Sequence, residues 1–388
     1  MTKIPLLDLS AQNGELEGEL TTAFQRVLRS RCYIMGPELE AFEKDVAREC
    51  GVAHGLGVSS GTDAILLALM ALGIGQGDEV LVPAFTFFAT AGCVSRIGAT
   101  PVWVDVEAHT FNMSLSDAGR KVSERTRAII PVHLFGQAMD MDAVLDFARR
   151  HGLRVVEDCA QSLGARWRGR PVGSFGDFGA YSFFPSKNLG GFGDAGLLAS
   201  NDAALAERAR VLRVHGMAPK YFHKFVGGNF RMDPLQAALL GVKLPHLAAY
   251  NARRGANAAF YRRALGRVAG VADNAPGGAP GDAVVLLPVD FSGGGIWNQF
   301  TLRVRGAGRR EALRAHLGGC GIGCEVYYPL SLDRQECFAG VGRGGGSVVV
   351  AHELADEVLS IPVFPDLDEE QLGGVVAAIV DWLGSLGR

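Results

Sequence analysis

The sequence is short of lysine. Seven lysines stand against 31 arginines in 388 residues, so a lysine in an unusual setting is easy to find. There is also no surplus of charge, because Lys plus Arg is 38 and Asp plus Glu is 41, leaving −3. A dedicated nucleic-acid binder normally carries a basic excess, and the balance argues against that class. No run of about 18 uncharged apolar residues occurs, which argues against a membrane-spanning helix. The opening Met1–Leu9 carries Asp8 and lacks the apolar core of a secretory leader, so a cytoplasmic location is expected. Seven cysteines, an odd number without a leader, point to reduced thiols. Cys320 and Cys324 are the only close pair, and with no second pair or histidine cluster beside them they fall short of a zinc ligand set. No Gly-Lys dipeptide occurs, which excludes a Walker A loop. Internal repeats and low-complexity tails are absent as well.

What remains is an ordinary globular composition, 48% hydrophobic and 20% charged, on a chain long enough for two domains. From Gly51 to Ser200 short apolar runs recur: Glu79–Val82, Pro101–Val106, Ala128–His133, Arg154–Asp158, Ala180–Phe184 and Gly196–Ser200. Helical patterning fills several intervals, at Asp63–Leu72, Met141–His151 and Ala203–Val214. Alternating strand and helix predicts a mostly parallel sheet covered on both faces. Near Pro245 the texture changes. A long helix is expected over Leu247–Leu265, followed by Gly/Pro-rich loops at Pro276–Asp282, Ser292–Gly295 and Gly340–Gly346. The expected division is a large α/β domain over 1–245 and a smaller α+β domain over 246–388, with the N-terminal segment able to pack on the latter.

Open sheets of this kind bind ligands at the C-terminal ends of their strands, and four segments place polar or aromatic residues there. Gly57-Val58-Ser59-Ser60-Gly61-Thr62-Asp63 precedes an apolar helix. Its free amides could hold an anion, or Ser60 and Thr62 could simply cap the helix. Arg154-Val155-Val156-Glu157-Asp158-Cys159-Ala160-Gln161-Ser162 ends an apolar strand in two carboxylates, either a charged site needing a cation or a helix cap at Asp158. Tyr181-Ser182-Phe183-Phe184-Pro185-Ser186-Lys187-Asn188-Leu189-Gly190-Gly191 holds the one lysine in an apolar, Gly-rich stretch. Burial there would depress its pKa and expose a nucleophilic amine, whereas the bland alternative is a lysine snorkelling from a loop. Pro83-Ala84-Phe85-Thr86-Phe87-Phe88-Ala89-Thr90 offers either core aromatics or a ring that stacks on a planar ligand. The run Gly191-Phe192-Gly193-Asp194-Ala195-Gly196 matches the dinucleotide fingerprint in form only, since it leads into a strand and not a helix.

Taken together, a helix-start anion site, a strand-end carboxylate, a desolvated lysine and a stacking aromatic are the parts of a pyridoxal phosphate site. Their order along the chain is similar to that of the large domain of a fold type I aminotransferase. The segments Ser60-Gly61-Thr62-Asp63-Ala64, Ser182-Phe183-Phe184-Pro185-Ser186-Lys187-Asn188-Leu189 and Gly228-Asn229-Phe230-Arg231-Met232-Asp233 with Gln236-Ala237-Ala238 carry the likeness further. Over nearly its whole length the chain resembles the DegT/StrS family of PLP-dependent nucleotide-sugar aminotransferases. The resemblance implies that Lys187 forms the Schiff base with pyridoxal 5′-phosphate and then shuttles the substrate proton. It implies that Asp158 pairs with the pyridine nitrogen, Gln161 with the ring hydroxyl, and Phe87 with the ring face. Gly61, Thr62 and Ser182 would hold the phosphate. Asn229 would reach the phosphate of the neighbouring subunit, which makes a homodimer the expected state.

The implied reaction moves an amino group from L-glutamate, through pyridoxamine 5′-phosphate, to a keto nucleotide-sugar. Relatives that act as sugar dehydratases carry His where Lys187 stands. Gly193-Asp194-Ala195-Gly196 and Lys220-Tyr221-Phe222-His223-Lys224 resemble enzymes of 3-keto sugars. Alternatives within the family are a 4-keto nucleotide-sugar aminotransferase, a cyclitol aminotransferase and an aminohydroxybenzoate synthase. An alternative of another class is a non-catalytic regulatory protein, which predicts an eroded site. One departure is Tyr328-Pro329-Leu330-Ser331-Leu332-Asp333, where the family commonly has Pro in place of Ser331 and His in place of Asp333. An acid at 333, if it faced the sugar, would disfavour an anionic substrate.

Overall fold

The computed structural model describes residues 3–277 and 281–386. The middle of the expected loop Pro276–Asp282 therefore lies outside the described residues. The strands in chain order are β1 (His54–Val58), β2 (Glu79–Pro83), β3 (Thr100–Val104), β4 (Thr126–Ile129), β5 (Arg154–Asp158), β6 (Arg166–Trp167), β7 (Arg170–Pro171), β8 (Phe178–Ser182), β9 (Gly196–Ser200), β10 (Val271–Asp273), β11 (Val285–Leu287), β12 (Phe300–Val304) and β13 (Val358–Ile361).

Seven of them form one sheet in the order β1-β9-β8-β5-β4-β2-β3. β2 pairs in parallel with β3 and β4, β4 with β5, and β5 with β8. β9 is antiparallel to both of its neighbours, β1 and β8. Six strands thus run one way and β9 alone is reversed. The C-terminal ends of β1, β2, β5 and β8 consequently share one edge, with Gly196, the first residue of β9, paired to Val58 and Ser182 there. β10, β11, β12 and β13 form a second sheet. Ile4 joins that second region: its amide donates to the Gly321 carbonyl at 3.0 Å, and its carbonyl accepts from Gly323 at 2.7 Å.

The helices form where pattern and caps agree. Met141–His151 begins at Asp140, whose carboxylate accepts from the Ala143 amide at 3.0 Å, and stops at Gly152, φ +64°. Its Met141, Val144, Phe147 and Ala148 are spaced to make one stripe, and all are buried. Burying Met141, Val144 and Phe147 contributes about 1.5–3 kcal/mol each, and Phe147→Ala would cost about 3–5 kcal/mol. Gly61–Leu72 is apolar all round and is buried along nearly all of its length, packed against β8, β9 and the helix Ala89–Arg96. The long helix Leu247–Leu265 has the expected bounds.

Three expectations needed correction. The strand expected over Ala128–His133 ends at Ile129, and Val132 makes only an isolated bridge to Asp158. Pro131 lies between them and has no N–H for a ladder. The helix expected to Val214 ends at Leu212. β1 was not expected as a strand, because Gly55 and Gly57 make His54–Val58 read as a weak one. Gly57 is there for close approach: a Cβ on it would sit 2.6 Å from Leu39 Cδ1 of the helix Pro37–Glu49. The glycine-rich 340–346 stretch is a loop as expected, and it also covers the exposed edge of β3. Trp103 donates to the Arg343 carbonyl at 2.8 Å and Arg343 donates to the Pro101 carbonyl at 3.0 Å. No helix among the described residues is long and apolar enough to cross a membrane.

Candidate active site

The shared strand edge gathers all of the expected residues but Asn229. After β1 the chain turns at Ser59-Ser60 into the helix Gly61–Leu72. The Ser60 hydroxyl oxygen accepts the Asp63 amide at 3.0 Å, so the cap is present, and the Gly61 and Thr62 amides sit in the first turn. The capping reading of this segment therefore holds. Gly61 is pressed against the end of β8: a Cβ there would lie 2.7 Å from Ser182 Cβ. Gly61, Thr62 and Ser182 thus form one small concave floor at a helix N-terminus, where the dipole favours an anion.

Asp158 closes β5, with only 4% of its surface exposed. Its Oδ1 accepts from the Ala160 amide at 3.1 Å and its Oδ2 from the Thr90 hydroxyl at 2.8 Å. Burial raises its pKa; Thr90, Ala160 and the nearby Lys187 pull it back. Lys187 is part-buried in the turn after β8, where its amide donates to the Phe184 carbonyl at 2.8 Å. Burial brings its amine down to about 8, with Asp158 opposing the shift. That is the signature of a desolvated lysine facing an acid, not of one snorkelling to water. Asn188 pins the loop from the other side. Its amide donates to Asn251 at 2.6 Å and to the Ile296 carbonyl at 3.1 Å, and its oxygen accepts from Asn298 at 2.8 Å.

Gln161 accepts from the Phe135 amide at 2.7 Å, which fixes its orientation, and donates to the Tyr328 hydroxyl at 3.3 Å. Of the aromatics after β2, Phe85 is core, whereas Phe87 is 54% exposed and stands 6.2 Å from the Tyr328 ring. Phe87 is therefore free to stack. Asn229 does not join this cluster. It lies on an exposed segment beside Val214, at the end of a stretch in which Tyr221 is 78% and Val226 92% exposed.

Two residues beside the site escaped the sequence reading. Thr90 is fully buried against Asp158, and Tyr328 is part-buried between Gln161 and Phe87, its pKa raised by burial and by Asp158. Neither has a local signal beyond a position near a motif. Asp333 also needs correction. Its side chain is nearly buried and its Oδ2 lies 2.9 Å from His352 Nε2, so the carboxylate is turned inward and not toward solvent.

An anion floor, a buried carboxylate, a part-buried amine and an exposed aromatic on one sheet edge define an enzyme built around a phosphorylated, planar aldehyde cofactor. The chain belongs to the DegT/DnrJ/EryC1/StrS aminotransferase family, whose sequence model matches residues 15–380. Aminotransferases of this family work through pyridoxal phosphate. The chain is 45% identical over 380 residues to a pleiotropic regulatory protein of Geobacillus stearothermophilus, covering 98% of each. It is 43% identical over 378 residues to the UDP-N-acetyl-3-dehydro-alpha-D-glucosamine 3-aminotransferase of Acidithiobacillus ferrooxidans, covering 97% of each. The crystal structure of S. venezuelae DesV in complex with a ketimine intermediate superposes with a TM-score of 0.90 at 42% identity, covering 98% of this chain and 99% of that one.

Proposed function

We propose that the protein transfers an amino group from L-glutamate to a 3-keto nucleotide-sugar, using pyridoxal 5′-phosphate. The observation that carries this is the Lys187 amine, brought down to about 8 by burial and lying within electrostatic reach of the buried carboxylate of Asp158. The residues present fit the cofactor. Gly61 leaves a floor that a side chain would fill, and the Ser182 hydroxyl lies at its edge. Bound there, the cofactor supplies an electron sink for the carbon that loses its proton. Asp158 holds a proton at the ring nitrogen. Gln161, with one amide hydrogen on Tyr328, has its second for the ring oxygen. Lys187, nucleophilic because it is partly desolvated, would hold the aldehyde carbon and would move the proton between substrate and cofactor carbons. Phe87 shields one face.

The keto position is assigned to C3. The Acidithiobacillus relative is a 3-aminotransferase by name, and Gly193-Asp194-Ala195-Gly196 closes the lysine loop in the manner expected for such enzymes. The regulatory name carried by the Geobacillus relative does not alter the reading, because Lys187, Asp158 and Gln161 are all present and none of these positions is eroded. The homodimer, with Asn229 reaching the neighbour's phosphate, belongs to the same proposal and is supported by the exposure of that segment. So do the division at residue 245 and a cytoplasmic location.

The test is an absorbance spectrum of the PLP-loaded protein before and after L-glutamate, then a panel of 3-keto and 4-keto nucleotide sugars. A visible band that bleaches with glutamate and returns with a 3-keto sugar is expected. A return with 4-keto sugars alone overturns the C3 assignment, and no visible band overturns the site.

A further inference from the structure

The helix Ala89–Arg96 lies directly behind the site and touches it at two points on one face. Thr90, fully buried, donates its hydroxyl to Asp158 Oδ2 at 2.8 Å. One turn on, the Cys93 thiol, 3.2 Å from the Thr62 carbonyl, backs the anion floor. Behind Thr90 stands Thr86, 2% exposed, with the two hydroxyl oxygens 3.3 Å apart. A hydroxyl has one hydrogen to give. Thr90 spends its hydrogen on Asp158, so the hydrogen between the threonines must come from Thr86. The chain of donation runs from Thr86 to Thr90 to Asp158.

We propose that Thr90 is a positioning residue for the transamination, holding Asp158 as a fixed, ionised acceptor for the cofactor's ring nitrogen, with Thr86 reinforcing it. Asp158 is buried, and burial alone favours the neutral acid. A neutral acid could still bond to the ring nitrogen but would not keep a proton on it. Each donated hydrogen bond favours the carboxylate, and among the described residues Asp158 has two: the Ala160 amide, which is backbone and fixed, and the Thr90 hydroxyl. The hydroxyl also fixes the rotation of the carboxyl group, so that the remaining lone pairs face the site.

The inference rests on Asp158 being the ring-nitrogen partner, and the experiment separates the two. Thr90→Val, Thr90→Ser, Thr86→Val and Asp158→Asn are compared with the parent for kcat, KM of each substrate, PLP affinity of the apoprotein by equilibrium dialysis, and thermal midpoint. Thr90→Val keeps the side-chain shape and loses the hydroxyl. It should lower kcat about ten- to a hundredfold, the effect of one hydrogen bond to a charged group, with KM for the sugar within about twofold. PLP affinity should fall by about tenfold. Thr90→Ser should restore both, and Thr86→Val should lower kcat by roughly two- to fivefold. A parent-like Thr90→Val beside an impaired Asp158→Asn overturns the role of Thr90 alone. Equal impairment in Thr90→Ser and Thr90→Val, with lowered thermal midpoints, makes the effect one of packing and overturns it too. An unimpaired Asp158→Asn overturns the reading of the site and this inference with it.

Discussion

Two carboxylates stand next to each other at the end of β5, and they live in opposite worlds. Glu157 points to one side of the sheet and is fully buried. It accepts hydrogen bonds from the Gly173 amide at 2.7 Å, the Phe175 amide at 2.8 Å and the Gly176 amide at 2.7 Å. His133 adds a fourth. Its Nδ1 accepts from the Met139 amide at 3.0 Å, so the proton must sit on Nε2, 3.1 Å from Glu157 Oε2. Cys159 lies close to this His133–Glu157 pair, and all three side chains are buried. Asp158 points to the other side, with two donors and lone pairs to spare. The difference teaches that a buried charge with all its partners supplied by the protein is structure, while one left short of partners is poised for a ligand.

Substitutions can break or sharpen this contrast. The largest effect should come from Lys187→Ala on the Asp158 side, which removes nucleophile and proton carrier together. Turnover should fall by roughly 10³-fold or more, while PLP still binds through phosphate and ring contacts; measurable full transamination would sink the assignment. Asp158→Asn should lower kcat by roughly 10²–10³-fold with little change in the thermal midpoint. Glu157→Gln should do the reverse. It turns an amide group onto backbone N–H donors and should cost about 2–3 kcal/mol of stability in denaturant unfolding. A kcat that falls more than the stability warrants would blur the distinction between the two sides.

The next effect is one of pH. The Lys187 amine, at about 8, is the neutral nucleophile above that value and is protonated below it. Capture of PLP by the apoprotein, followed by stopped-flow absorbance, should therefore speed up through pH 8 and level off above. Asp158 raises the lysine pKa, so in Asp158→Asn the midpoint should move lower. A midpoint near the ordinary lysine value would show an unperturbed amine. The smallest effect belongs to Asp333→Asn. With its carboxylate turned to His352, the change should cost about 0.5–1.5 kcal/mol and leave the ranking of neutral and anionic sugars as it was.

Much of this was legible in the residues because the informative ones are local. Lys187 stands out by its apolar neighbours and Asp158 by its place at the end of a strand. Gly61 and Thr62 stand out by a cap before a buried helix. The parallel sheet followed from strand and helix alternating, and Leu247–Leu265 from its length. Other features are set by distant pairing and were not legible. Glu157 and Asp158 read as a pair, and only the pleat of β5 and the turn at Gly173–Gly176 separate them. Thr90 gained meaning from a partner 68 residues away. Asp333 read as a free charge facing the site, and only the fold turns it onto His352, 19 residues on. β1 was hidden because its glycines serve the packing of a neighbouring helix and not the strand itself.

The contact between Gly61 and Ser182 also bears on how such an enzyme can diversify. A single added methyl at 61 would collide with the end of β8, so the floor cannot be tuned by small steps. Exposed stretches such as Lys220–Lys224, by contrast, can change without disturbing the sheet edge. A library randomised at both places and selected for turnover should return glycine alone at 61 and many answers at 220–224.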